Sequence, residues 1–226
     1  MGYVKSLRRD NTGIGYTLEY YLGIPENNFG GGDFIFHGNV VELKARRNTS
    51  TSRVTLFTKV PNWDPMSTRE IIERYGYIDE KGRQGLKNTL STTSYTSQGL
   101  KLELTRSKVL IVDAEGNQLA YFDNGELQEK FTSKFGRNML LVGADVRVDR
   151  DGIESFHYNR AVLYENLLPN RFWEMLEQGD IVFDFRFDIR EHNEGFGDYF
   201  VRDHGPGFRI LNGDIDELYE SYEVLL

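Results

Sequence analysis

The chain has no cysteine and only five prolines. It also has no apolar run near the ~20 residues that a membrane-spanning helix needs. The missing thiols exclude disulfides and thiolate metal sites, and they suit a reducing compartment. The opening MGYVKSLRRD has no apolar signal core, so a cytoplasmic location without membrane association is expected. Also missing are a phosphate-cradling Walker loop, a serine nucleophile elbow and a paired-histidine zinc motif; GIGYTL falls short of a dinucleotide fingerprint. What remains is 226 residues, 39% hydrophobic and 27% charged, enough for one large domain with a core. The net charge of −8 argues against a plain nucleic-acid coat. The charge is uneven, however: Lys5, Arg8, Arg9, Lys44, Arg46, Arg47, Arg53 and Lys59 crowd the first sixty residues, and the tail from Asn212 carries only acids. A local basic cleft on an acidic body is therefore open.

The periodicities mix helices and strands. DNTGIGYTLEYYLGIPENN predicts a helix capped by Asn11 or Thr12, with Ile14, Leu18, Tyr21 and Leu22 on one face and Gly23 and Pro25 at its end. STREIIERYG predicts a helix with a Ser67–Glu70 capping box. Helices are also expected in NGELQEKFTSKFG, NRFWEMLEQG and the tail GDIDELYESYEVLL, where Ile215, Leu218, Tyr219, Tyr222 and Leu226 fall at helical spacing. Strands are expected at 33–37, 39–45 and SRVTLFTKV, in the alternating LKLELTR, and in DIVFDFRFDI. VLIVDAEGNQLAYFD and LLVGADVRVDRDGIESFHY read as hairpins, the second turning at Asp151-Gly152. With no internal repeat and no clear linker, the class is α/β in its mixed α+β form, spanning 1–226 as a single domain.

One stretch carries a possible chemistry. In GGGDFIFHGNVVELKARR, strand alternation sends Val41, Leu43 and Ala45 to one face and Val40, Glu42 and Lys44 to the other. Asp33 opens the neighbouring strand and falls near Glu42. Two carboxylates with a backbone carbonyl make a hard oxygen site suited to Mg²⁺, and a lysine beside them offsets phosphate charge. Such a set suits hydrolysis of a phosphodiester. Spacing alone allows a plainer account, an amphipathic strand with Glu42 and Lys44 in water.

TGIGYTLEYYLGIPENN…GDFIFHGNVVELKARRNTSTSRVTLFTKVP resembles the N-terminal half of the MvaI/BcnI restriction endonucleases, relatives of the nicking enzyme MutH in the PD-(D/E)xK nuclease group. VRDHGPGFRI followed by ELY resembles that family's DNA-reading segment. The resemblance implies a PD-(D/E)xK core whose mixed sheet is flanked by helices, in two lobes around a DNA cleft. The catalytic lobe would include about 1–75 and the recognition lobe the loop at 200–212. By motif position it implies Asp33, Glu42 and Lys44 as the catalytic set. Mg²⁺ would be held by Asp33, Glu42 and the Leu43 carbonyl, with Lys44 at the attacking water. Glu19 matches a helix acid near the site in related nucleases, and it reads equally as a solvated helix glutamate. The motif's proline is Gly32 here, which alters backbone shape and removes no ligand.

The family implies a type II, Mg²⁺-dependent enzyme that cuts double-stranded DNA at a short pseudo-palindromic CC-N-GG-like site. It would work as a monomer, with a cognate methyltransferase encoded nearby. Arg202, Asp203, His204 and Arg209 are the candidate base readers, since arginine pairs bidentately with guanine and histidine donates to the same edge. Arg46, Arg47, Arg53 and Lys59 flank the catalytic strand as candidate phosphate contacts. The other histidines, His37, His157 and His192, read as structural. A MutH-like strand nicker and an inactive DNA-binding protein on the same scaffold are the alternatives.

Overall fold

A computed structural model describes residues 2–25, 33–135, 138–191 and 199–226. Gly32 and His192 lie outside the described residues. The chain folds into two compact units. One comprises Met1–Ser52, Phe131–Pro169 and Asn212–Leu226, and the other Arg53–Lys130 and Asn170–Leu211. Helices and strands are mixed throughout, as the periodicities predict.

The first unit begins with β1 (Val4–Lys5), α1 (Gly13–Leu22), β2 (Phe34–Phe36) and β3 (Asn39–Arg47). The second opens with β4 (Val54–Thr58), α2 (Thr68–Tyr75), β5 (Tyr77–Ile78) and β6 (Gln84–Leu90). It continues with β7 (Lys101–Leu104), β8 (Lys108–Val112), β9 (Gln118–Asp123) and the start of α3 (Asn124–Phe135). The chain then re-enters the first unit with β10 (Asn138–Val148) and β11 (Glu154–Leu167). The second unit resumes with α4 (Arg171–Gln178), β12 (Ile181–Glu191), β13 (Tyr199–Asp203) and β14 (Gly207–Ile210). A 3₁₀ turn (Asn212–Leu218) and β15 (Tyr219–Val224) close the first unit. Among the described residues no helix is long and apolar enough to cross a membrane.

The first unit is one mixed sheet in the order β1-β11-β10-β3-β2, with β15 also on β11. β3 runs parallel to β10 and antiparallel to β2. α1 lays Ile14, Thr17 and Leu18 against it, and Leu18 packs with Leu43 and Val142. The helical face is narrower than the spacing predicts, because Tyr21 and Leu22 are exposed. Thr17 takes the buried place instead and accepts the Leu7 N–H through Oγ1 at 3.1 Å. Thr12 is the N-cap residue, but its hydroxyl donates to Asp10 and caps nothing. Gly23 ends the helix in the left-handed conformation, φ +71°.

The tail corrects the sequence reading. Only one 3₁₀ stretch forms, which buries Ile215 and Leu218. The chain then extends and pairs with β11 from Val162 to Leu167. Tyr219 is buried, whereas Tyr222 and Leu226 are exposed. Helical spacing was present, but the open edge of β11 had backbone groups to satisfy, and pairing with β15 satisfies them.

The second unit holds a sheet ordered β4-β14-β12-β6-β5, with β13 on β12, and a meander β7-β8-β9. α2 has the expected capping box between Ser67 and Glu70. The segment RDHGPGFRI is not a loop, and this too is a correction. Its residues belong to β13 and β14, which occupy successive stretches of the same edge of β12. The chain jogs at His204–Pro206, with Gly205 at φ +72°. Gly207 is needed for close approach: a Cβ there would lie 2.4 Å from the Phe57 carbonyl oxygen on β4. Pro and Gly signal a turn, and they mark one here, but Phe208 and Ile210 beyond it are fully buried and belong to a strand.

Two turns in this unit are tied by aspartates. Asp113 accepts from Asn117, Tyr75 and two backbone N–H groups. Asp79 accepts from Arg83, by side chain and backbone. The Asn117 hydrogen bond leads in holding Asp113 at about 2, and the Arg83 hydrogen bond does the same for Asp79, also about 2. A carboxyl whose folded pKa lies below its unfolded value of about 3.9 stabilises the fold above that pH. That stabilisation disappears as pH falls from about 4 towards 2. The melting temperature should therefore drop steeply over this window, and Asp113→Asn should flatten part of the drop.

Candidate active site and DNA-reading residues

β3 is the strand that carries the candidate chemistry. β2 covers its edge only from Asn39 to Val41, and among the described residues no strand pairs with that edge from Glu42 onward. Asp33 sits where the cover ends. Its backbone N–H donates to the Val41 carbonyl at 2.9 Å, and its Oδ2 accepts the Leu43 N–H at 2.7 Å. Within a strand the N–H and C=O of one residue point the same way, so the Leu43 carbonyl faces the edge where Asp33 lies.

Glu42 is almost fully buried, at 1% exposure. The plainer account, an acid in water on an amphipathic strand, is thus set aside: Glu42 is enclosed. Glu42 Oε1 accepts from Lys44 Nζ at 2.5 Å and lies 3.1 Å from Lys134 Nζ. Its Oε2 is buried without a partner. Tyr219 lies close by, and burial first, then the charge of Glu42, push its hydroxyl well above the ordinary tyrosine range. The two ammonium groups offset the charge that Glu42 carries into the interior.

Lys44 also lines a groove along this edge with Glu19, Leu43, Ile14 and Arg8. The helix acid and the motif lysine thus line one groove, which spacing alone did not determine. Lys134 was invisible in the sequence. It sits in the last turn of α3, where a lysine signals no more than favourable placement near a helix C-terminus.

The basic residues after the motif separate. Arg46 shares the face of Glu42 and Lys44. Arg47 points to the other face and forms a two-pronged pair with Glu154. Lys59 pairs with Glu126 at 2.6 Å, and Arg53 is exposed; both lie in the second unit.

The DNA-reading candidates also lie in the second unit. His204 Nε2 is 2.8 Å from Asp188 Oδ2, and Arg190 Nε donates to Asp188 Oδ1 at 2.9 Å. Asp188 itself is fully buried. Burial would raise its carboxyl, but hydrogen bonds from Arg190 and His204 outweigh this and hold it low. Asp188 and Arg190 were missed by sequence reading, because an aspartate at that point of DIVFDFRFDI looks like any alternating polar residue. Asp203 accepts the Gly205 N–H, so it shapes the jog. Arg202 is exposed on β13. Arg209 is largely buried, 3.0 Å from Asp184, and burial lowers its pKa against the pull of that carboxylate.

β3, paired in parallel with β10, thus carries a buried acid and an adjacent lysine, with Asp33 at its edge. The model of the MvaI/BcnI restriction endonuclease family matches residues 1–219. The chain belongs to this family. As a member it is a type II, site-specific DNA endonuclease, and endonucleases of the MvaI/BcnI family generally work with a divalent metal. Among solved structures, the complex of restriction endonuclease MvaI with its cognate DNA substrate aligns over 100% of this chain and 92% of that one. The TM-score is 0.79 and the identity 26%. MvaI in the absence of DNA aligns over the same shares with a TM-score of 0.54 and 24% identity, a likeness of fold. No curated protein matches the chain.

Proposed function

We propose that the chain is a Mg²⁺-dependent endonuclease that binds double-stranded DNA and hydrolyses phosphodiester bonds at a short, pseudo-palindromic CC-N-GG-like site. The observation that carries the chemistry is the orphan Oε2 of Glu42, buried beside Lys44 on the strand whose edge holds Asp33. Fixed oxygens of this kind fit a hard cation. Among the described residues no cluster of three or more His, Asp or Glu side chains is gathered for a metal. Asp33, Glu42 and the Leu43 carbonyl would thus hold Mg²⁺ and leave room for water and phosphate oxygens. When bound, the cation supplies charge for the developing phosphorane and lowers the pKa of water. Lys44 Nζ would orient the attacking water; solvent takes the water's proton, the oxygen attacks phosphorus, and the P–O bond to the leaving strand end breaks. Glu42 holds Lys44 in place, and Glu19 lines the same groove, where it would support the metal site. MvaI was solved with its cognate DNA, which supports DNA as the substrate here.

In this reading the first unit cuts and the second reads. With Nε2 turned to Asp188, the His204 ring has Nδ1 left for a base edge. Arg202 is the exposed arginine beside it. Arg190 rather than the buried Arg209 would join them. Asp188→Asn keeps the shape and removes the charge that orients both groups. It should cut discrimination between site and non-site DNA by about tenfold, with non-specific binding unchanged, as read by competition binding in EDTA.

The enzyme would act as a monomer and nick one strand at a time, with a companion methyltransferase protecting host DNA. The deciding experiment digests a long DNA of known sequence with Mg²⁺ and with EDTA and maps the ends. Discrete, metal-dependent fragments sharing one GC-rich site support the proposal. Single nicks alone point to a MutH-like role, and binding without cleavage in any divalent metal points to an inactive scaffold. Cleavage that survives both Asp33→Ala and Glu42→Ala would sink the site assignment.

A further inference from the structure

On the face of the first sheet that carries Glu42 and Lys44, three strands put Arg46, Gly143 and Arg160 in one row. Gly143 is opposite Arg46 on β3 and opposite Arg160 on β11. The middle position has no side chain, so the two arginines flank an open position on the sheet that the Asn48 amide overhangs. A Cβ at Gly143 would lie 2.2 Å from Asn48 Oδ1 and 3.2 Å from the Arg160 Cβ, so only glycine lets the Asn48 amide sit between the two arginines. The result is a small recess of about 40 Å³, open to solvent on one side and lined by Arg46, Asn48, Arg160, Tyr164 and Asn212.

The polar groups there lack a counter-ion. Arg46 donates to the Ser50 carbonyl at 2.6 Å and to the Arg47 carbonyl, while its Nη1 is buried without a partner. The Asn212 amide oxygen is also unpartnered. Among the described residues neither arginine is paired with a carboxylate. Burial, and then the charge of Arg160, lower the hold of Arg46 on its proton. Two like charges held together without an acid are an anion site, and guanidinium forks match phosphate oxygens in particular.

Position selects the source of the phosphate. Arg46 is two residues beyond Lys44 on the same face, about 6.6 Å along an extended strand, which is of the order of one nucleotide step. We propose that Arg46 and Arg160 form a notch for a backbone phosphate of the strand being cut, next to the scissile one. This rests on the nuclease reading above and adds Arg160 to its substrate contacts.

The test uses the full chain in EDTA, where DNA binds without being cut, and follows duplex binding across a NaCl series. Arg160→Ala should weaken binding roughly tenfold, equally for site and non-site DNA. It should lower the slope of log affinity against log salt by about one, and Arg160→Lys should recover part of both. A duplex with one neutral methylphosphonate next to the scissile position should bind wild type as weakly as Arg160→Ala binds normal DNA. The variant should lose nothing more on that duplex. An unchanged salt slope in a variant that melts like wild type overturns the notch. If Lys44→Ala still abolishes cleavage in that case, the nuclease reading stands. Inorganic phosphate that raises the melting temperature of wild type but not of Arg160→Ala, with unchanged DNA slopes, would make this a free-anion site and overturn the DNA assignment. A wild-type protein that neither binds nor cuts DNA would overturn both.

Discussion

Lys44→Ala is expected to slow DNA cleavage by about 10³-fold or more, within the range of a lost proton-transfer or charge-stabilising group. In free energy this is about 4 kcal/mol of transition-state stabilisation. The expectation follows from where the ammonium sits. It is 2.5 Å from Glu42 Oε1 and lines the edge groove with Glu19 and Leu43. The fold should survive, because Lys134 remains 3.1 Å from Glu42 Oε1 and still offsets its charge. Single-turnover cleavage with Mg²⁺, alongside binding in EDTA, separates the two effects. Chemistry should collapse while affinity changes by no more than a few-fold. If affinity falls as far as rate, Lys44 serves binding and the proposed role at the attacking water is wrong. Glu42→Gln offers a second check, since it preserves volume in a site with almost no exposure and removes the carboxylate that would hold the cation.

Phe208→Ala should produce the largest loss of stability, about 3–5 kcal/mol, against a total of about 5–15 kcal/mol for a typical domain. Phe208 is fully buried on β14. Its ring lies between 5.1 and 5.7 Å from the rings of Phe57, Phe122, Phe172 and Phe183. These come from β4, β9, α4 and β12. Removing the central ring therefore leaves a cavity bounded by four elements, with no flexible neighbour to fill it. Phe208→Leu should cost about 1–1.5 kcal/mol. Phe36→Ala, at a site 39% exposed, should stay within about 0.5 kcal/mol. Denaturant midpoints read all three. Because Phe208 follows the His204–Pro206 jog, the unstable variant should also lose site discrimination before it loses chemistry on the first unit.

The sequence by itself determined the local elements and the motif. Period-2 alternation in LKLELTR, a capping box at Ser67, and Gly23 and Gly179 as left-handed helix ends all act over a few residues, so the chain spells them out. The motif order of Asp33, Glu42 and Lys44 was legible for the same reason, and so was the family. Tertiary structure decided everything that depends on which strands become neighbours. The tail became a strand because β11 had an open edge, and the RDHGPGFRI segment became two strands because β12 had one. The burial of Glu42, the second lysine at Lys134, the Asp188 brace behind His204 and the Arg46–Gly143–Arg160 row each join residues tens of positions apart or set a residue in surroundings built by distant segments. Such contacts leave no local period or cap signal, since they come from register and from backbone groups that must find partners once water is excluded.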